Sequence, residues 1–370
     1  MKKHSSKEKS PKRSKAALEP DPVTIGIDLG DKTSRYCALT GSSDKGEEGS
    51  VATTRKAMAQ KFGAMPACRI AIEVGGHSRW VSQLLASFGH EVIVANAREV
   101  KAITASSRKN DQMDARMLAR LARVDPALLR PIRHRGEQAQ MHLMRIRVRA
   151  ALIETRTALI NTARGLAKSS GERLPRCDAD QMGMARAEGL PEWLAGQLKP
   201  LLLQVEQLTV EIRKCDRELE QIAGNEYPET KLLEQVWGVG TLIALTFVLT
   251  IDEPQRFRKS RDVGCYVGLR PKRSQSGERE PELPITREGD GYLRILLVQA
   301  AHRILCSQGP DTDLKRWGLK LAQGGVKSKK AKKRAIVAVA RKLAILLHRL
   351  WVTGEVYEPL RNSGVMAAAA

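Results

Sequence analysis

Long apolar runs, paired cysteines and aromatic rings are all scarce in this 370-residue sequence. No stretch of eighteen or more apolar residues occurs, and the opening MKKHSSKEKSPKRSKAALEP carries no apolar signal-peptide core. A membrane-spanning or secreted product is therefore not expected. The six cysteines, Cys37, Cys68, Cys177, Cys215, Cys265 and Cys306, are widely scattered and never form a C-x-x-C pair, so neither a zinc site nor a disulfide framework is indicated. Aromatic residues make up only 4% of the chain, which supplies a stacking platform for single-stranded bases poorly. Acid is scarce relative to base: 41 Asp and Glu face 63 Lys and Arg, leaving a formal charge of +22. That excess predicts a polyanionic partner, nucleic acid in the cytoplasm rather than a membrane surface.

The length allows two or three domains. Residues 1–22, rich in Lys, Ser and Pro, are too polar to offset the entropy of ordering and read as a disordered basic tail; residues 361–370 read as a second disordered tail. Residues 23–135 read as an α/β domain. VTIGIDLG, SRYCALTG, CRIAIEVGG and HEVIVANAREV have strand character, the first two as a hairpin, and HSRWVSQLLASFG between the last two has helical spacing with a glycine stop. Residues 136–228 read as two long helices, Gly136–Ser169 and Pro191–Ala223, with a break at Pro200 as an option. Joined by a polar connector, they suggest an antiparallel arm that makes dimers or embraces a long ligand; packing on its own domain is the plainer alternative. Residues 229–360 read as mainly helical. There LLEQVWGVGTLIALTFVLTI predicts two helices joined by a tight turn at Gly238 and Gly240, whose backbone N–H groups can hold a phosphate.

Four acids stand out. Asp28 lies in the apolar run TIGID, Glu73 in the equivalent setting IAIE, and Asp111 and Asp114 are three apart at a helix start, so that both can face one way. A strand carboxylate among apolar neighbours calls for a compensating cation, and oxygen ligands suit a hard divalent ion such as Mg²⁺, one or two of them, for phosphoryl chemistry. Each acid also has a plainer reading: a turn acceptor at Asp28, an N-cap at Asp111, an ion pair with Arg108 or Arg116 at Asp114. Arg108, Lys109, Arg116 and Arg120 surround the acids as a basic frame for a phosphodiester. Lys327, Lys329, Lys330, Lys332, Lys333 and Arg334, in VKSKKAKKRA, are candidate backbone contacts or a solvated run.

In order along the chain, GIDLG, IEVGG, KNDQMDA and YVGLRPKRSQSGEREPELPITREGDGYLRILLVQAAH resemble the DEDD transposases of the insertion-sequence 110 and 1111 group, and the similar pilin-gene invertase. The resemblance spans roughly residues 23–360. It implies a RuvC-like domain of ribonuclease H fold, a coiled-coil arm and a C-terminal transposase domain. It further implies that Asp28, Glu73, Asp111 and Asp114 bind Mg²⁺, and that a serine of RSQSGE, Ser276 or else Ser274, becomes covalently joined to DNA. Lys272 and Arg273 precede that serine and are candidate nucleic-acid contacts. Donor and target DNA, a non-coding bridge RNA, and a homodimer assembling to a homotetramer are the implied partners, in the prokaryotic cytoplasm near the nucleoid.

Rival readings come from other classes. GIDLG also opens the sugar-kinase and actin-like ATPase fold, but no second Asp-Gly-rich phosphate loop follows, and a charge of +22 suits that role badly. A hydrolytic RuvC-type junction nuclease would need the acids but not the serine. A non-catalytic nucleic-acid scaffold would need neither.

Overall fold

A computed structural model describes residues 23–41, 46–96, 111–272, 283–323 and 329–361. Arg108, Lys109, Arg273, Ser274, Ser276 and Lys327 lie outside them, as do most of the two expected tails. The chain divides into two compact units, Met1–His134 and Arg135–Ala370.

The first unit is built on a five-stranded mixed sheet of order β3-β2-β1-β4-β5. Its strands are β1 (Thr24–Asp28), β2 (Thr33–Leu39), β3 (Glu47–Ala52), β4 (Arg69–Glu73) and β5 (Glu91–Ala95). β1 runs antiparallel to β2 and parallel to β4, and β4 runs parallel to β5. A parallel neighbour requires a crossover, and α2 (Ser78–Ser87) supplies it between β4 and β5.

Both faces of the sheet are covered. Ile25, Ile27, Ile70 and Ile72 pack with Met58 and Phe62 of α1 (Arg55–Phe62) and with Val81 and Leu85 of α2. On the other face lies α3 (Asp111–Val124), which buries Ala115, Leu118, Ala119 and Ala122. Its small residues bring the helix backbone hard against β1: a methyl group on Gly26 would lie 2.1 Å from the Ala115 carbonyl oxygen. The glycine inside GIDLG is thus a packing requirement. Gly30 has a different cause, because a side chain there would meet the Thr33 carbonyl oxygen at 2.2 Å in the β1–β2 turn.

The second unit opens with two long helices, α4 (Glu137–Ser169) and α5 (Glu192–Glu226). They are antiparallel: Ala139, Leu143 and Ile146 near the start of α4 pack with Leu219 and Ala223 near the end of α5, while Ile160, Ala163 and Ala167 meet Leu194, Leu198, Leu202 and Val205. The seam turns polar midway, where Arg149 pairs with Asp216 and Arg156 donates to Thr209 Oγ1 at 3.1 Å. Pro200 does not break α5. It lies on the exposed side, where water can take the place of the lost N–H bond.

Shorter helices follow: α6 (Glu229–Glu234), α7 (Thr241–Ile251), α8 (Ser260–Tyr266), α9 (Gly291–Leu305), α10 (Asp313–Gln323) and α11 (Lys329–Thr353). Their core includes Phe247, Val263, Leu293, Leu297, Val339, Leu343 and Leu347. Between α6 and α7 the expected tight turn is present, with Gly238 at φ +89° and Gly240 capping α7. No helix among the described residues is long and apolar enough to cross a membrane.

Candidate functional site

Asp28 is the last residue of β1 and Glu73 the last of the adjacent parallel strand β4. The register pairs Ile27 with Ile72, so the two carboxylates stand level, one step beyond, at the carboxyl edge of the sheet. Asp111 and Asp114 occupy the first turn of α3, the helix pressed on β1 at Gly26. Gln112 Nε2 donates to the Tyr36 carbonyl at 3.0 Å and fixes that first turn to β2. Sheet edge and helix start therefore bring the acids to one place.

The electrostatics record this convergence. The Asp28 carboxyl is pushed up from 3.8 to about 6, first by burial and then by the charges of Asp111, Glu73 and Asp114. Like charges disfavour ionisation, and a cation would reverse the effect. In donor chemistry the residues fit a hard divalent ion. In distance they do not form a closed cage: among the described residues, no three His, Cys, Asp or Glu side chains converge closely enough to hold a metal.

The loops beside these acids are braced. Thr53 Oγ1 donates to the Gly30 carbonyl at 2.9 Å, holding the turn that follows Asp28. Ser78 Oγ donates to the Gly75 carbonyl at 2.8 Å and accepts from Gly75 N–H at 3.0 Å, closing the turn that follows Glu73. Two further residues at this edge had no part in the sequence reading. Trp80 Nε1–H donates to His77 Nδ1 at 3.1 Å, which leaves the imidazole proton on Nε2, 3.5 Å from Asp31 Oδ1. Asp31 and His77 sit three and four residues beyond Asp28 and Glu73, in the loops that leave the two strands.

The expected basic frame is only partly free for a ligand. Arg116 is engaged with Glu48, its Nε donating to Oε1 at 2.7 Å. Arg120 Nε is buried without a hydrogen-bond partner among the described residues. In the second unit Lys272 is exposed, and Lys329, Lys330, Lys332, Lys333 and Arg334 are exposed on the first two turns of α11.

Comparison with known proteins decides the affiliation. The DEDD family model described as Transposase matches residues 25–170, and that of the Transposase IS116/IS110/IS902 family matches residues 230–314. A putative transposase, y4pF/y4sB, of Sinorhizobium fredii is 31% identical over 311 residues, covering 82% of this chain and 78% of the relative. The chain belongs to the IS110 family of DEDD transposases. The transposase for insertion sequence element IS1111A of Coxiella burnetii is 27% identical over 354 residues, 91% of this chain and 92% of that protein. The transposase for insertion sequence element IS1328 of Yersinia enterocolitica is 27% identical over 290 residues, 76% and 84% of the two chains. Within this transposase, the first matched segment contains Asp28, Glu73, Asp111 and Asp114, and the second contains Ser274 and Ser276.

Proposed function

We propose that this transposase is an RNA-guided DNA recombinase that cuts and exchanges strands through a covalent phosphoserine–DNA intermediate. The observation that carries the reading is the gathering of Glu73, Asp111 and Asp114 around Asp28, whose carboxyl is lifted to about 6 first by burial and then by those charges. The sheet order and the covering helices are compatible with a ribonuclease H-like domain of RuvC type. Asp28, Glu73, Asp111 and Asp114 would hold Mg²⁺, which when bound supplies positive charge against the phosphodiester. A rigid sheet edge suits this task because it fixes carboxylates to within a fraction of an ångström.

Ser276 is the proposed nucleophile, with Ser274 as the alternate. Its Oγ attacks phosphorus, the Oγ–P bond forms and the P–O3′ bond breaks. The serine proton is released, and the leaving oxygen takes a proton to become a 3′-hydroxyl. The number of phosphoester bonds is unchanged, so the reverse attack by a 3′-hydroxyl reseals strands without ATP. Guidance by a structured RNA rests on the family likeness and suits a charge of +22, since pairing would read sequence while the protein contacts backbones. The antiparallel α4–α5 pair is the proposed coiled-coil arm, joining a dimer that pairs into a tetramer.

The test is incubation of the protein, the element's flanking RNA, Mg²⁺ and labelled donor and target DNA, followed by denaturing gels. A protein-linked DNA band that disappears in Ser276→Ala and in Asp28→Asn is the expected result. Cut ends that persist without a covalent band in Ser276→Ala would instead make the protein a hydrolytic nuclease.

A further inference from the structure

The second unit contains a groove of about 920 Å³ whose chemistry is divided between rim and floor. Along α11, Lys330, Lys333, Arg334, Arg341 and Lys342 line it, Arg261 of α8 faces them, and among the described residues no acidic side chain contributes. The floor is apolar, formed by Leu269, Leu283, Ile285, Val337 and Ile345 among others, with Trp317 at one side. The volume lies inside the range of about 300–1,000 Å³ typical of built ligand sites.

Three features single out an anion. The first turn of α11 carries Lys329 and Lys330 and no acid, so its cations add to the positive end of the helix dipole rather than offset it. Arg341 Nε is buried with no hydrogen-bond partner among the described residues, and a buried guanidinium N–H without an acceptor is costly. The room for that side chain is provided by Gly264, where a methyl group would lie 2.9 Å from Arg341 Cγ. Lys342 Nζ stands 3.9 Å over the Trp317 ring, which keeps a cation at the wall of the groove.

The floor narrows the class. A duplex presents phosphates and sugars to a groove of this kind and keeps its base faces stacked, so it would use the rim and leave the floor unfilled. An unpaired strand can place phosphates on the rim and turn a base onto the floor. From Lys330 to Lys342 the helix rises about 18 Å, long enough for several backbone phosphates. We infer that this groove binds single-stranded DNA, holding backbone phosphates on Lys330, Lys333, Arg334 and Arg341 and an unstacked base against Leu283, Ile285, Val337 and Ile345.

The inference rests on the recombinase reading for the source of the strand, not for the binding itself. It is tested on full-length Asp28→Asn protein, so that cleavage does not intervene. Fluorescence anisotropy would compare a 12-nucleotide DNA containing 2-aminopurine, its blunt duplex and the RNA of the same sequence. Val337→Asp is expected to weaken single-strand binding at least tenfold, to leave duplex binding within threefold, and to abolish the 2-aminopurine change. Lys333→Gln, on an exposed position that cannot unfold the core, is expected to lower the salt slope for the single strand by about 0.7. Equal losses for single strand and duplex, or tighter binding of the RNA than of the DNA, would overturn the inference. Neither result bears on the covalent DNA band, which is scored separately.

Discussion

Asp28 is an acid that the fold holds against its own ionisation. With a native value of about 6 against 3.8 in the unfolded chain, the native state keeps this proton where the unfolded state has lost it. Stability therefore declines as pH rises from about 4 to about 6, and the ionised carboxylate is a liability at neutral pH. In chelator at pH 7.5, Asp28→Asn should raise the unfolding free energy by about 1–2 kcal/mol, a figure discounted for the partial exposure of the group. At pH 4 or below the difference should vanish. Mg²⁺ should stabilise the wild-type protein and not the variant. Calorimetry across this pH range checks all three statements, and a variant no more stable than wild type at pH 7.5 contradicts the first. A side chain that destabilises the protein unless a cation accompanies it is what a functional carboxylate looks like in energetic terms.

The element that places half of the acids is α3, and its position is set by one missing side chain on β1. Gly26→Ala would drive a methyl group into the Ala115 carbonyl and, at 2.4 Å, the Ala119 amide. The helix has to move, taking Asp111 and Asp114 with it. The expected cost is about 1–3 kcal/mol in urea unfolding, together with loss of DNA cleavage by a protein that still folds. The elements legible in the sequence were those with strong patterns: β1, β2, β4 and β5, the crossover α2, and the long pair α4 and α5. β3 was not legible, because EEGSVA is a polar edge strand that buries only Val51. Nor was α1, which buries only Met58 and Phe62. Asp28 and Glu73 could be found because apolar neighbours make a carboxylate conspicuous, and Asp111 and Asp114 because their spacing shares a helix face. Asp31 and His77 could not be found that way, since exposed loop residues become partners only when β1 and β4 are placed side by side.

At the scale of the molecule, each unit has its own core. The clusters built around Leu233, Phe247, Leu343 and Leu347 and along the α4–α5 seam draw only on the second unit. Residues 135–361 expressed alone should therefore give a helical circular-dichroism spectrum and one cooperative thermal transition. A fragment that melts without a transition would show that the division is geometric only. Near one edge of this unit, an isolated bridge pairs Pro271 with Ile285, and Lys272 N–H donates to the Pro284 carbonyl at 2.9 Å. That clasp fixes both ends of the segment carrying the two candidate serines. A chain extends at most about 3.6 Å per residue, so Ser274 can stray only about 11 Å from Pro271 and Ser276 only about 18 Å. The clasp is a tether of known length. A phosphorus attacked by either candidate serine would have to come to the clasp.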